Sequence, residues 1–269
     1  MMPLDTHSRA RSFVFSGVLA LIVAPATLAV GCGGDVTRSV GELGRLEYSL
    51  FTDYEVPQGE LTSARIVAGH TQTINVELTE EGRAETDRGG RITHRVTPSE
   101  GTDVDDRGGS TENPPSLEIR VTESGEYTIE SMLDEELFDR ITLHFELPAG
   151  FDMLLHTREP YSQDFDPVFD TSQAITVVEG THVTIDTAPL DAEGQRLAGV
   201  VETEVIIDPQ WMAVPGVGVR ESYENGVWYS TGQANIYFIE PGQASVHVFD
   251  PVSGASGSAT FNVTPIPKD

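Results

Sequence analysis

Ile141-Thr142-Leu143-His144-Phe145-Glu146-Leu147 decides the fold. Apolar and polar side chains alternate over the whole run. A period of two marks a strand with one face buried and the other in water. A helix would place its apolar residues three or four apart instead. Leu46, Tyr48 and Leu50 repeat the alternation, as do Ile74, Val76 and Leu78, and Leu117, Ile119 and Val121. Residues 64–68, 91–97 and 126–132 are shorter strand candidates. About seven strands in about 100 residues predict a β-sandwich over residues 45–148. Pro57-Gln58-Gly59, Gly89-Gly90 and Ser124-Gly125 supply turns between them. Residues 98–115, rich in Asp and Gly, predict a polar loop.

A second series fills residues 174–265, with candidate strands at 174–178, 182–187, 199–207, 212–223, 227–230, 233–240, 244–249 and 258–264. Asn225-Gly226 sits between Tyr223-Glu224 and Val227-Trp228, a strong two-residue hairpin signal that sets Tyr223 opposite Trp228. Residues 149–173 read as an acidic linker, because Asp152, Glu159, Asp164, Asp166 and Asp170 face one base, Arg158. A self-repelling segment extends, so relative motion of the two domains is expected. No convincing helical periodicity follows the N-terminal apolar run; Ser131 to Phe138 admits at most one short turn.

That apolar run, Phe13 to Val30, follows a start carrying Arg9 and Arg11 and precedes small residues and Cys32. Basic start, apolar middle and small-residue end describe a secretory signal over residues 1–31. A membrane-spanning helix is the competing reading, since 18 residues reach the lower edge of spanning length. Pro25 favours cleavage. Cys32 is the only cysteine, so no intrachain disulfide forms. Gly33 to Gly44 then reads as a short tether, residues 32–44.

Leu28-Ala29-Val30-Gly31-Cys32 resembles the lipobox of bacterial lipoproteins, with Ala29 where Leu is commoner. The resemblance implies that Cys32 is lipid-modified and becomes the first residue of the mature chain. Gly33 after it resembles the pattern for outer-membrane delivery in a diderm cell. The C-terminal half resembles bacterial immunoglobulin-like domains, through Val178-Glu179-Gly180-Thr181, Asp191-Ala192-Glu193-Gly194 and Gly242 to Asp250 followed by Ser258 to Thr264. The expected fold is therefore all-β, two tandem immunoglobulin-like β-sandwiches after an N-terminal signal helix. The expected location is the cell envelope.

Removing residues 1–31 takes away Asp5, Arg9 and Arg11 and leaves 42 acids against 14 bases, a net charge of −28. That balance excludes ordinary nucleic-acid binding, which neutralises phosphates with Lys and Arg. It also disfavours peripheral binding to anionic lipid, so membrane contact is assigned to the anchor. Histidines are scattered, no Gly-x-Ser-x-Gly elbow occurs, and Lys268 is the only lysine. The sequence thus predicts no catalytic residues and no cofactor.

Two ligand readings remain beside a structural or protein-interaction role. Asp164, Asp166 and Asp170 could offer hard oxygen ligands to Ca²⁺ at the domain junction. Trp211, Tyr223 and Trp228 could stack on a glycan, although cross-strand packing is the better explanation of such aromatics.

Overall fold

A computed structural model describes residues 36–52, 59–86, 90–106, 109–110, 116–160, 164, 166–168, 171–215, 222–224, 227–231 and 233–267. The signal stretch, Cys32, Asp170 and the Asn225-Gly226 pair lie outside these residues. Among the described residues, no helix is long and apolar enough to cross a membrane.

The first half contributes β1 (Val36–Val40), β2 (Leu46–Phe51), β3 (Arg65–Val67), β4 (Gln72–Leu78), α1 (Glu80–Glu85), β5 (Arg91–Thr97), β6 (Thr102–Asp106), β7 (Gly109–Ser110), β8 (Ser116–Val121), β9 (Gly125–Leu133) and β10 (Glu136–Glu146). They form one sheet of order β1-β2-β4-β8-β6 and a second of order β3-β10-β9-β5-β7. Alternation does the sorting. Along β4, Gln72, Ile74, Val76 and Leu78 point inward while Thr73, Asn75 and Glu77 point out. Ile141, Leu143 and Phe145 are buried on β10, and the Phe145 ring meets Tyr127 edge-on at 5.5 Å. Burying one such side chain stabilises the fold by about 1.5–3 kcal/mol.

The second half contributes β11 (Gly150–Arg158), β12 (Asp166–Val168), β13 (Ile175–Val178), β14 (His182–Leu190), β15 (Glu202–Asp208), a 3₁₀ turn at Gln210–Met212, β16 (Ala213–Pro215), β17 (Ser222–Glu224), β18 (Val227–Thr231), β19 (Gln233–Phe238), β20 (Gly242–Phe249) and β21 (Ser256–Thr264). Their sheets have the orders β12-β11-β14-β19-β16 and β13-β21-β20-β15-β18-β17. Val183, Ile185, Ile236, Phe238, Val246 and Phe261 fill the space between them. The all-β reading holds, in two packed sandwiches. β17 and β18 pair antiparallel with Tyr223 opposite Trp228, the register expected from the hairpin signal.

Four readings are corrected. The tether contains β1, whose residues pair with β2 from Val36 opposite Phe51 to Val40 opposite Glu47. The polar loop contains the edge strand β6, where Val104 packs on the core while Asp103 and Asp105 are exposed. Thr79 starts the helix α1, because its hydroxyl accepts the Gly82 N–H and caps the first turn. Ser131 to Phe138 stays within what was expected of it, at most one short turn: it makes no helical turn and is a hairpin with Asp134 and Glu135 at positive φ.

The acidic linker is the fourth. Only Leu147, Pro148 and Ala149 separate β10 from β11. β11 pairs with β14 along its whole length, and Phe151, Met153 and Leu155 are buried. Burial of this apolar alternation outweighs the repulsion among exposed carboxylates, which water screens. Residues 150–158 and 166–168 of the segment are sheet.

Candidate functional site

A dense polar constellation lies where the two sandwiches meet. β3 pairs with β10 in its own sheet, Ile66 opposite Phe145, and Ile66 also bridges to Ala198 of the second half. Val67 N–H donates to the Ala198 carbonyl at 2.9 Å, and Ala198 N–H donates to the Arg65 carbonyl at 2.7 Å. Val67 thereby packs in the second core, while Ala188 and Ala198 pack in the first. At the start of β4, the buried Gln72 amide closes a ring on Val200. Its Oε1 accepts the Val200 N–H at 2.8 Å and its Nε2 donates to the Val200 carbonyl at 2.9 Å. Gly199 at φ +113° makes room, since a Cβ there would lie 2.4 Å from Gln72 Oε1.

Charged groups flank this seam. Arg65 Nη1 reaches Glu146 at 3.3 Å, the buried Asp191 at 2.6 Å and Glu193 at 2.8 Å. Those three acids are the trio of carboxylates close enough to share a cation among the described residues. Arg65 already supplies the positive charge, so the trio reads as an ion-pair network.

On the opposite flank, His70 Nε2 donates to Asp250 Oδ1 at 3.0 Å, and Glu202 N–H approaches His70 Nδ1 at 3.4 Å. Ser253 donates its hydroxyl to the other Asp250 oxygen. Burial works to raise the Asp250 carboxyl, but the hydrogen bonds from His70, Ser253 and the Val252 N–H together hold it below the usual carboxylate range. Serine, histidine and aspartate are thus together, in the wrong order for nucleophilic catalysis. A relay needs the serine proton on the histidine, with the aspartate behind. Here the aspartate sits between the two, so the imidazole does not take the Ser253 proton directly. Sequence reasoning missed this group because its members are about 180 residues apart.

A true serine–histidine contact occurs in the first core. His94 Nδ1 lies 2.8 Å from Ser131 Oγ, which lies 2.8 Å from Tyr48 Oη. Ser131 and Tyr48 have no exposed surface, so no substrate reaches the hydroxyl. Among the described residues, no carboxylate hydrogen-bonds the ring and Nε2 meets no partner. The network fastens β2 to β9 and β5 across the core.

It also carries a pH dependence. Burial pushes the His94 imidazole below its ordinary 6.5, against the opposing charge of Asp106. The unfolded chain therefore takes up the proton first as pH falls. His94 should support full stability above about pH 6.5 and lose it progressively as pH drops from there towards the folded value. Urea midpoints against pH should show this slope in the native chain and lack it in His94→Asn. Parallel profiles would contradict the assignment.

The sequence-predicted ligand residues are described only in part. Asp164 and Asp166 are exposed, Asp166 in the edge strand β12, and Asp170 falls outside the described residues. Trp211 is 61% exposed on the 3₁₀ turn. The backbones of Tyr223 and Trp228 form the outer hairpin of the fourth sheet.

No family model matches the chain, and no curated protein matches it. Solved structures overlap with it loosely. FdeC, an Escherichia coli adhesin, is 14% identical over 87% of this chain and 65% of its own, with a TM-score of 0.28. Domains 4 and 5 of the S-layer protein SbsC are 14% identical over 80% of this chain and 98% of their own, with a TM-score of 0.29. The C-terminal domain of the Streptococcus agalactiae AgI/II polypeptide BspA is 8% identical over 85% of this chain and all of its own, with a TM-score of 0.30. Overlaps at these values assign no role.

Proposed function

We propose that the chain is a lipid-anchored envelope protein whose two sandwiches act as one stiff, non-catalytic unit in a structural or protein-interaction role. The observation that carries this is the seam. Backbone pairing, the Gln72 ring and side chains exchanged between cores join the sandwiches over a three-residue connection. A stiff, strongly acidic body suits holding a surface away from a membrane, and its charge keeps it soluble among other envelope components. The anchor rests on Cys32, which ends the lipobox-like run as the sole cysteine. Two or more acyl chains hold a protein on a membrane stably.

Cys32→Ser tests the anchor. The variant should leave the membrane fraction or accumulate as unprocessed precursor. Membrane-bound protein of mature size after Cys32→Ser would refute it. Exposed Trp211 favours a second reading, glycan contact, which predicts glycan-array binding lost in Trp211→Ala.

A further inference from the structure

A cleft of about 260 Å³ opens beside the His70–Asp250 contact, between the two sandwiches. It is smaller than the 300–1,000 Å³ usual for drug-sized ligands, so it admits one small molecule or one headgroup. Both halves line it. The first gives Gly69, Thr71 and Arg120, and the second gives Glu202, Glu204 and Val252. The walls are fixed from behind. Arg120 Nε donates to the Gly69 carbonyl at 2.9 Å, which holds the guanidinium in place and leaves its terminal amino groups without a partner among the described residues. Glu202 and Glu204 point outward from β15 on either side of the buried Thr203. Neither carboxylate forms an ion pair with Arg120 or with any other described base.

The cleft therefore presents one cation and two anions that form no ion pair with one another among the described residues. A lone anion would meet Arg120 but also both glutamates and a chain of net charge −27 before processing. A lone cation would leave the guanidinium facing it. A molecule carrying both charges satisfies both walls and is net neutral, so the acidic field does not repel it. The guanidinium fork matches a carboxylate in two parallel hydrogen bonds. An ammonium, with three donors, suits the pair of glutamates.

We infer that this cleft binds an α-amino-acid headgroup, its carboxylate on Arg120 and its ammonium between Glu202 and Glu204. The headgroup belongs to a free amino acid or to the end of a larger molecule. This goes beyond the scaffold role and does not depend on the lipid anchor.

Amide spectra of the full chain in detergent provide the test. L-Alanine represents the free amino acid and Nε-acetyl-L-lysine the headgroup on a longer tail. At least one should shift the Gly69, Thr71 and Thr203 signals saturably, with a Kd on the order of a millimolar. Preference for acetyl-lysine assigns the larger source, and preference for alanine the free one. N-Acetylalanine and alaninamide, each lacking one charge, should bind at least about tenfold more weakly. Arg120→Gln and Glu204→Gln should each remove the response while the remaining spectrum is unchanged. Saturable binding that survives both variants, equal binding of alaninamide, or no response to either zwitterion at about 50 mM would overturn the assignment.

Discussion

Replacing Asp139 with alanine is expected to destabilise the first sandwich by about 3 kcal/mol or more. Asp139 is completely buried, and its carboxylate accepts four backbone N–H groups. Oδ1 takes Leu43 and Arg140, each at 2.8 Å, and Oδ2 takes Arg45 at 2.8 Å and Leu46 at 2.7 Å. These donors belong to the turn from β1 to β2 and to a bulge in β10, so one side chain fastens the first strands to the second sheet. A buried donor left without an acceptor costs about 1–3 kcal/mol, and four sharing one acceptor do not add fully. Gly41 belongs to the same device, since a Cβ there would lie 2.5 Å from the carboxylate.

Asp139→Asn is the sharper experiment. It keeps shape and volume but turns one oxygen into an amine. Each oxygen serves two donors, so neither orientation of the amide avoids facing two N–H groups with an NH₂. A loss of about 2 kcal/mol is expected on chemical denaturation, with the slope of the transition unchanged. An Asn variant as stable as the native chain would show that the four hydrogen bonds are dispensable.

The contrast between what the sequence discloses and what it hides follows from distance along the chain. β5 and β10 are legible because alternation is a local signal, repeated until the core side is unmistakable. The capped start of α1 was equally local, at Thr79-Glu80-Glu81, and was overlooked because six residues give too little periodicity. β1 hides for another reason. Its Gly-flanked residues show no alternation of large apolar side chains, and Asp139, about 100 residues away, is what holds the following turn in place. The seam is hidden most completely. Nothing around Gln72 or Gly199 says that they meet, since their partnership exists only after both sandwiches fold.

Gln72→Ala is the variant that decides whether the two sandwiches behave as one body. The reading from charge alone, an extended and mobile linker, predicts two independent unfolding transitions and a particle that changes with the medium. The seam predicts one cooperative transition. Gln72 is 1% exposed, and its amide is the side-chain partner of both the N–H and the carbonyl of Val200. Truncation leaves two backbone groups unpaired beside a new void, a loss of about 2–4 kcal/mol. That loss falls on the contact between the sandwiches, not inside either core. The single transition should therefore divide in the variant, with each half retaining its own secondary structure. Arg65→Ala should cost less, because Arg65 is 39% exposed and water screens its ion pairs. Small-angle scattering supplies the geometric check. The native particle should keep one radius of gyration with and without chelator, and Gln72→Ala should enlarge it. Two transitions in the native chain, or a Gln72→Ala variant within about 0.5 kcal/mol of native with unchanged scattering, would place the rigidity elsewhere.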